Sequence, residues 1–197
     1  MIRNFFKKQK SFQLRRETKV KISHIANALK EMQIGSLLEV GCNAGEIVRA
    51  MGANGIFAVG VDKQLDFRGI DYRYEKAFFG NVEMNAEMID KLPKFDAILL
   101  LSVHHQIIEQ HGDEVARTYV SKLANRSNKI FLIEFAALNR KFGKLNGNLF
   151  EDNNENSVKQ YAQEWLNSAL PDFSCKFVSK IPQCSSEPFR YLFKCTK

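Results

Sequence analysis

Leu37-Leu38-Glu39-Val40-Gly41-Cys42-Asn43-Ala44-Gly45 decides the fold of this 197-residue chain. Residues 36–41 read as a short buried strand that ends on a glycine. Gly41 lets the chain turn sharply off the strand. Gly45 permits close approach of a ligand and of the helix expected over residues 45–51. Ile56–Asp62 reads as a second buried strand, ending on an acid 21 positions after Gly41. A carboxylate at that place can accept both hydroxyls of a ribose. The dinucleotide fingerprint G-x-G-x-x-G is absent, because Asn43 stands in the middle place and no third glycine follows. A pyrophosphate would lack its usual cradle, so the unit suits a nucleoside ligand without one.

Outward from this unit the same pattern continues. Phe95–Ser102 (FDAILLLS) and Lys129–Phe135 (KIFLIEF) are apolar strands, and Asp113–Ala124 places Val115, Tyr119 and Leu123 on one helical face. Ile22, Ile25, Leu29 and Met32 recur at helical spacing and predict a helix over residues 12–32. Tyr72–Phe79 leans to helix. Asn81–Asn85 reads as a short strand before a helical turn through Met88–Leu92. Ser157 is placed to cap a helix ahead of Pro171, with Tyr161, Trp165 and Leu166 expected in the core. Phe173–Ile181 and Phe189–Cys195 read as two closing strands. Residues 136–156 carry LNRKFGKLNGN and EDNNENS without periodicity and read as a loop, whose Arg140, Lys141 and Lys144 are candidates to meet an anionic substrate. Strands that are apolar throughout and alternate with helices predict a doubly wound α/β fold on a parallel sheet.

With 45% hydrophobic and 26% charged residues the composition is globular, which excludes a disordered tail, a collagen-like repeat and a disulfide-stapled miniprotein. The length fits one domain, read as residues 35–197 behind a basic N-terminal helical extension over residues 1–34. The longest apolar run, Ala97–Leu101 with Ser102 and Val103 after it, is far too short to span a bilayer. The net charge of +7 sits at one end. Residues 1–22 hold eight Lys or Arg against Glu17 alone, leaving 21 of the 29 basic and 21 of the 22 acidic residues for a neutral body. Any inference about a polyanionic partner therefore concerns this arm alone. With Phe5, Phe6 and Phe12 the arm suits RNA, an anionic membrane surface, or a lid packed through its aromatics. Cys42, Cys175, Cys184 and Cys195 form no C-x-x-C pair and no zinc framework. With no secretory signal pattern, the expectation is a cytoplasmic location and four free thiols.

Glu39–Gly45 (E-V-G-C-N-A-G) and Gly60–Asp62 (G-V-D) together resemble motifs I and II of class I S-adenosylmethionine-dependent methyltransferases. The resemblance covers about residues 36–135. It implies a mostly parallel, seven-stranded Rossmann-like sheet with an antiparallel last strand, and S-adenosyl-L-methionine as cofactor. It places Glu39 beside the methionyl part, Gly41, Asn43 and Gly45 at the turn facing the cofactor, and Asp62 on the ribose. Asn43 departs from the common central glycine. The family commonly shows an acid-Ala pair before a Leu-Pro and a Phe-Asp strand. Here Asn85-Ala86 precedes Leu92-Pro93 and Phe95-Asp96, which sets Asn85 and Ala86 near the adenine, with the Asn and a longer gap as departures. Phe95–Ser102 resembles motif IV and brings Ser102 to the cofactor.

The implied activity is methyl transfer to an oxygen or nitrogen of a small-molecule or sugar-containing acceptor, the acceptor class favoured by the neutral body. RNA methylation with residues 1–22 as a clamp is the first alternative. A catalytically silent domain that binds the cofactor or a protein partner is the second. His104 and His105 follow a strand at its carboxyl end, where ligands bind in open α/β sheets, and either is a candidate general base. Glu134 ends the next strand on the same edge and is a candidate acceptor contact. His111 lies nearby, but no carboxylate stands at ligand spacing, so no metal is expected. Cys42, beside the turn, is given no nucleophilic role. Nothing in the sequence fixes an oligomeric state.

Overall fold

The apolar runs become strands, and the periodic stretches between them become helices that cover both faces. A computed structural model describes residues 16–65, 76–136, 155–182 and 189–197. Its elements are α1 (Arg16–Leu29), β1 (Ser36–Val40), α2 (Glu46–Ala53), β2 (Phe57–Asp62), β3 (Ala77–Asn81), α3 (Ala86–Lys91), β4 (Phe95–Leu100), α4 (His104–His111), α5 (Asp113–Asn125), β5 (Ser127–Ala136), α6 (Glu155–Ala169), β6 (Ser174–Pro182) and β7 (Phe189–Thr196). They form one seven-stranded sheet in the order β3-β2-β1-β4-β5-β7-β6. Strands β1 to β5 run parallel, and β7 is antiparallel to both β5 and β6. The predicted doubly wound sheet with an antiparallel last strand is the observed one.

Alternation along each strand sends neighbouring side chains to opposite faces. Leu37, Leu99 and Leu132 pack under α1 and α2 with Ile22, Ile25, Leu29, Val48 and Met51. Leu38, Val40, Ile98, Leu100 and Phe131 pack under α3 to α6 with Ile89, Ile108, Val120, Leu123 and Leu166. Trp165 is buried as expected. Its Nε1 donates to Asp113 Oδ1 at 2.6 Å, while Arg117 Nε donates to Asp113 Oδ2 at 2.7 Å, so α6 is tied to α5.

Several local expectations are corrected. The segment leaning to helix at residues 72–79 enters β3 at Ala77, and residues 66–75 lie outside the described residues. The parallel ladder to β2, from Ala58↔Ala77 to Asp62↔Asn81, supplies hydrogen bonds that local spacing does not reveal. The short strand expected over 81–85 ends at Asn81; Asn85 instead caps α3, its Oδ1 accepting from Met88 N–H at 2.9 Å. Ser157 lies inside α6, which begins two residues earlier at Glu155. The thiol expectation also changes. Cys175 and Cys195 form a disulfide, and Cys42 is a free, buried thiol. The two bonded residues are direct partners on β6 and β7, with Cα atoms 4.0 Å apart. A separation of 20 in sequence carries no information about that register. Cys184, Arg140, Lys141, Lys144 and the arm residues before Arg16 lie outside the described residues.

Helix α1 is held by its apolar stripe, with Ile25 wholly buried against the sheet. Truncating Ile25 to Ala is expected to cost about 2–5 kcal/mol of stability, the range for deleting buried aliphatic side chains. Urea unfolding checks this, and a loss below about 1 kcal/mol would mean that α1 is not docked on the core.

Candidate functional site

Strand order reverses between β1 and β4, and in a doubly wound sheet a crevice opens at that point outside the carboxyl ends of the strands. A cleft of about 1010 Å³ lies there. Gly41, Asn43, Asp62, Asn85, Ala86 and Ser102 all line it. Glu39, Gly45, His104 and His105 do not line it.

The turn after β1 is fastened to the end of β2. Gly41 N–H and Cys42 N–H both donate to Val61 O, at 2.8 and 3.1 Å. Asn43 N–H donates to Asp62 Oδ2 and Gln64 N–H to Asp62 Oδ1, each at 2.8 Å. Asp62 thus organises the turn as well as facing the cleft. Gly41 (φ 79°), Asn43 (φ 48°) and Gly45 (φ 67°) are all left-handed, a conformation that asparagine tolerates better than other side chains. The space beside both glycines is taken by protein. A Cβ on Gly41 would stand 2.1 Å from Val103 Cγ2, and one on Gly45 2.1 Å from Phe79 Cε1. The close approach expected at Gly45 is therefore made by the β3 ring.

Behind the turn lies a buried polar cluster that the sequence reading did not assemble. Glu39 and Glu134 are both buried on the α1 side of the sheet. Glu134 Oε2 accepts from Lys21 Nζ at 2.9 Å and from Ser102 Oγ at 3.0 Å. Glu134, read from sequence as a candidate acceptor contact, is held inside by these two donors. Glu39 Oε2 and Glu134 Oε1 have no hydrogen-bond partner among the described residues. Burial pushes the Glu39 carboxyl up to about 8. Lys21 opposes that shift, while Glu134, Asp62 and Glu46 add to it. Burial, then Glu39 and Asp62, push the Cys42 thiol upward, so it stays protonated and unreactive.

Of the two histidines, His104 sits on the other face. His104 is buried, its ring centroid 4.4 Å from Phe135 and 4.5 Å from Trp165. Burial, then His105, bring its pKa down to about 3. Burial, then Arg190, bring His105 down to about 4. Both rings are neutral near pH 7. The reason for the placement of His104 is helical phase: α4 starts at this residue, whose side chain enters the core against Trp165 of α6. Gln106, Ile107, Gln110 and His111 reach the cleft from the same helix, and Thr118 and Tyr119 from α5. Sequence reading missed these walls. The spacing Gln106/Gln110 and Ile107/His111 marks one helical face, but a helix at residues 104–111 had not been recognised.

No protein-family model matches the chain, and no curated protein matches it in sequence. In structure the chain is similar to the bifunctional kinase-methyltransferase WbdD, with TM-score 0.63 and 18% identity over 91% of this chain and 38% of that one. It is also similar to magnesium protoporphyrin IX methyltransferase (ChlM) from Synechocystis PCC 6803 with bound SAM, with TM-score 0.58 and 13% identity over 95% of this chain and 86% of that one. A third likeness is to the methyltransferase domain of bacterial CtHen1, with TM-score 0.62 and 12% identity over 92% of this chain and 100% of that one. The chain spans less than two fifths of the WbdD chain. The chain shares its fold with these structures.

The buried groups make stability depend on pH. Glu39 keeps its proton to about 8 when folded, against an ordinary value of 4.5. The folded state then binds the extra proton, and stability falls as pH rises through that window. His104 and His105 act oppositely, adding stability as pH rises from their lowered values to the ordinary 6.5. Above about pH 7 the histidine gain is nearly complete, and of these three groups Glu39 is the one that still acts up to 8. Stability without added ligand is expected to fall there, and Glu39→Gln to flatten the fall. Urea unfolding at the two pH values checks this; equal falls in both proteins would contradict the burial assigned to Glu39.

Proposed function

We propose that this chain is an S-adenosylmethionine-dependent methyltransferase acting on an oxygen or nitrogen of a small-molecule or sugar-containing acceptor. Asp62 carries the reading. It ends β2 on the cleft wall, and both its oxygens are oriented by backbone N–H donors. Each carboxylate oxygen keeps a lone pair for a ribose hydroxyl.

Other features support the same ligand. The turn spends its N–H groups on Val61 and Asp62, which suits a nucleoside without a pyrophosphate. Asn85 lines the cleft and uses its side-chain oxygen to cap α3, which leaves its amide N–H₂ group as the donor it can offer a purine nitrogen. The unpartnered Glu39 Oε2 fits a ligand that ends in an ammonium group, as the methionyl part does. ChlM, of the same fold, binds SAM.

When bound, the cofactor supplies an electrophilic methyl group on a sulfonium sulfur. The task of the protein is to hold the acceptor in line with that methyl and to exclude water, and positioning of this kind is worth several powers of ten in rate. Ser102, at the end of β4, and the Gln106 and Gln110 side of α4 are the polar groups placed to orient the two partners. His104 serves the aromatic core, so proton removal is not assigned to it. A neutral body matches a small or sugar-containing acceptor. An RNA acceptor is the second reading, favoured by the eight basic residues among residues 1–22, of which all but Lys21, paired with Glu134, remain for a polyanion.

Calorimetric titration with S-adenosylmethionine and S-adenosylhomocysteine, with NAD as control, tests the assignment. Both of the first two are expected to bind and NAD is not. Asp62→Ala is expected to weaken binding by more than about 1 kcal/mol, the scale of hydrogen bonds to a charged group. No binding by the intact protein would overturn the reading, and unchanged affinity in the variant would remove Asp62 from it. The RNA reading predicts binding that falls steeply with salt and is lost when residues 1–15 are removed. Absence of RNA binding by the intact chain at low salt retires that reading.

A further inference from the structure

Helix α1 reaches the strand ends through one charged side chain. Lys21 Nζ lies 2.9 Å from Glu134 Oε2 and 3.5 Å from Ser102 Oγ, and Ser102 donates to the same carboxylate oxygen. One turn earlier, Thr18 Oγ1 donates to Glu46 Oε2 at 2.8 Å in the first turn of α2. The helix is thereby pinned on both sides of β1, where Glu39 sits. Ser102 lines the cleft with a left-handed backbone, φ 58°, which a serine adopts at a cost unless its surroundings fix it. Lys21 and Glu134 are those surroundings.

Glu134 is compensated by Lys21, with Arg190 of β7 also acting on it, whereas Glu39 has no cation of its own and stays neutral to about 8; each carboxyl keeps one buried oxygen without a hydrogen-bond partner among the described residues. Buried acceptors left in this way are costly, and a cation with several N–H groups would satisfy them. We propose that Lys21 is a positioning residue of the cleft. It fixes Glu134 and Ser102 and holds Glu39 ready to accept the ammonium of an amino-acid moiety on the ligand. This rests on the reading of the cleft as an S-adenosylmethionine site.

A pH signature follows from the groups around Glu39. They are Lys21 on α1, Glu134 on β5, Asp62 on β2 and Glu46 on α2, with Cys42 in the turn. Burial and the three acids keep Glu39 protonated to about 8, and Lys21 alone pulls the other way. Pairing with a ligand ammonium requires Glu39 to give up that proton. Affinity for an amino-acid-bearing ligand therefore rises with pH toward 8, and removing Lys21 moves the rise to higher pH.

The test compares two probes by calorimetry on the full chain. S-adenosylhomocysteine carries the amino-acid end, whereas 5′-methylthioadenosine keeps the adenosine and the thioether without it. Lys21→Met is expected to weaken S-adenosylhomocysteine roughly tenfold or more at neutral pH while leaving 5′-methylthioadenosine within about twofold. Lys21→Arg is expected to restore most of the loss. Equal loss for both probes, or none for either, would overturn the role of Lys21 while leaving the cofactor site standing. Failure of the unaltered protein to bind either probe removes the cofactor reading itself and this inference with it. If Lys21→Met does not fold, as judged by thermal unfolding, Glu134→Gln carries the test. That change removes an acid that keeps Glu39 protonated, so the rise in S-adenosylhomocysteine affinity should move to lower pH while 5′-methylthioadenosine is unaffected. An unchanged pH profile in that variant overturns the proposal.

Discussion

Parallel alignment of five strands is the constraint on which the rest of this structure depends. It puts the carboxyl ends of β1 to β5 along one edge, and the reversal of order between β1 and β4 opens a crevice there. Strand interiors are apolar because helices cover both faces. Polar residues therefore collect where the strands run out. Glu39, Asp62, Ser102 and Glu134 all stand at or near that edge. The same geometry that builds the core leaves a row of functional groups at its rim.

That row is expensive to maintain. Asp62 is half-buried and spends its oxygens on two backbone N–H groups. Glu39 and Glu134 are buried, and a buried carboxylate must be paired or protonated. The structure uses both solutions: Glu134 is paired with Lys21, and Glu39 is pushed toward its neutral form. Backbone strain gathers in the same place. Of the three non-glycine residues with positive φ among the described residues, Asn43 and Ser102 line the cleft. Strained residues on the cleft wall persist because the surrounding core over-determines them. The aromatic cluster of His104, Phe135 and Trp165 is on the opposite side of the sheet from α1 and belongs to that core.

Structures that share only 12–18% identity with this chain keep the same sheet. Such a fold tolerates wholesale replacement of side chains because apolar alternation and strand pairing are satisfied by many residues of similar size. What distinguishes members of one fold is the set of groups above the strand ends. Here those include the Gln106 and Gln110 face of α4, Thr118 and Tyr119 of α5, and a cation delivered by α1. The first two sets line the cleft, and the third pairs with Glu134 beside Ser102.

The sequence by itself determined the sheet class, the glycine turn after β1 and the acid ending β2. These are local: Glu39 to Gly45 are neighbours, and an apolar run between helical stretches has few other places to go. Asn43, Asp62 and Asn85 could be set on one cleft because each ends or follows a strand, and parallel strands share an edge. The tertiary structure decided the rest. Spacing alone left β3 ambiguous, because an edge strand is defined by the ladder it makes with β2. It gave Cys175 and Cys195 as free thiols, because register between two antiparallel strands is not written in their separation. His104 looked like a base at a strand end, and the phase of α4 turned it into the core. Lys21 and Glu134 lie 113 residues apart, and neither carries a local signal of the other. A pattern along the chain records which face a residue takes; which charge it meets there is fixed when the helices close over the sheet.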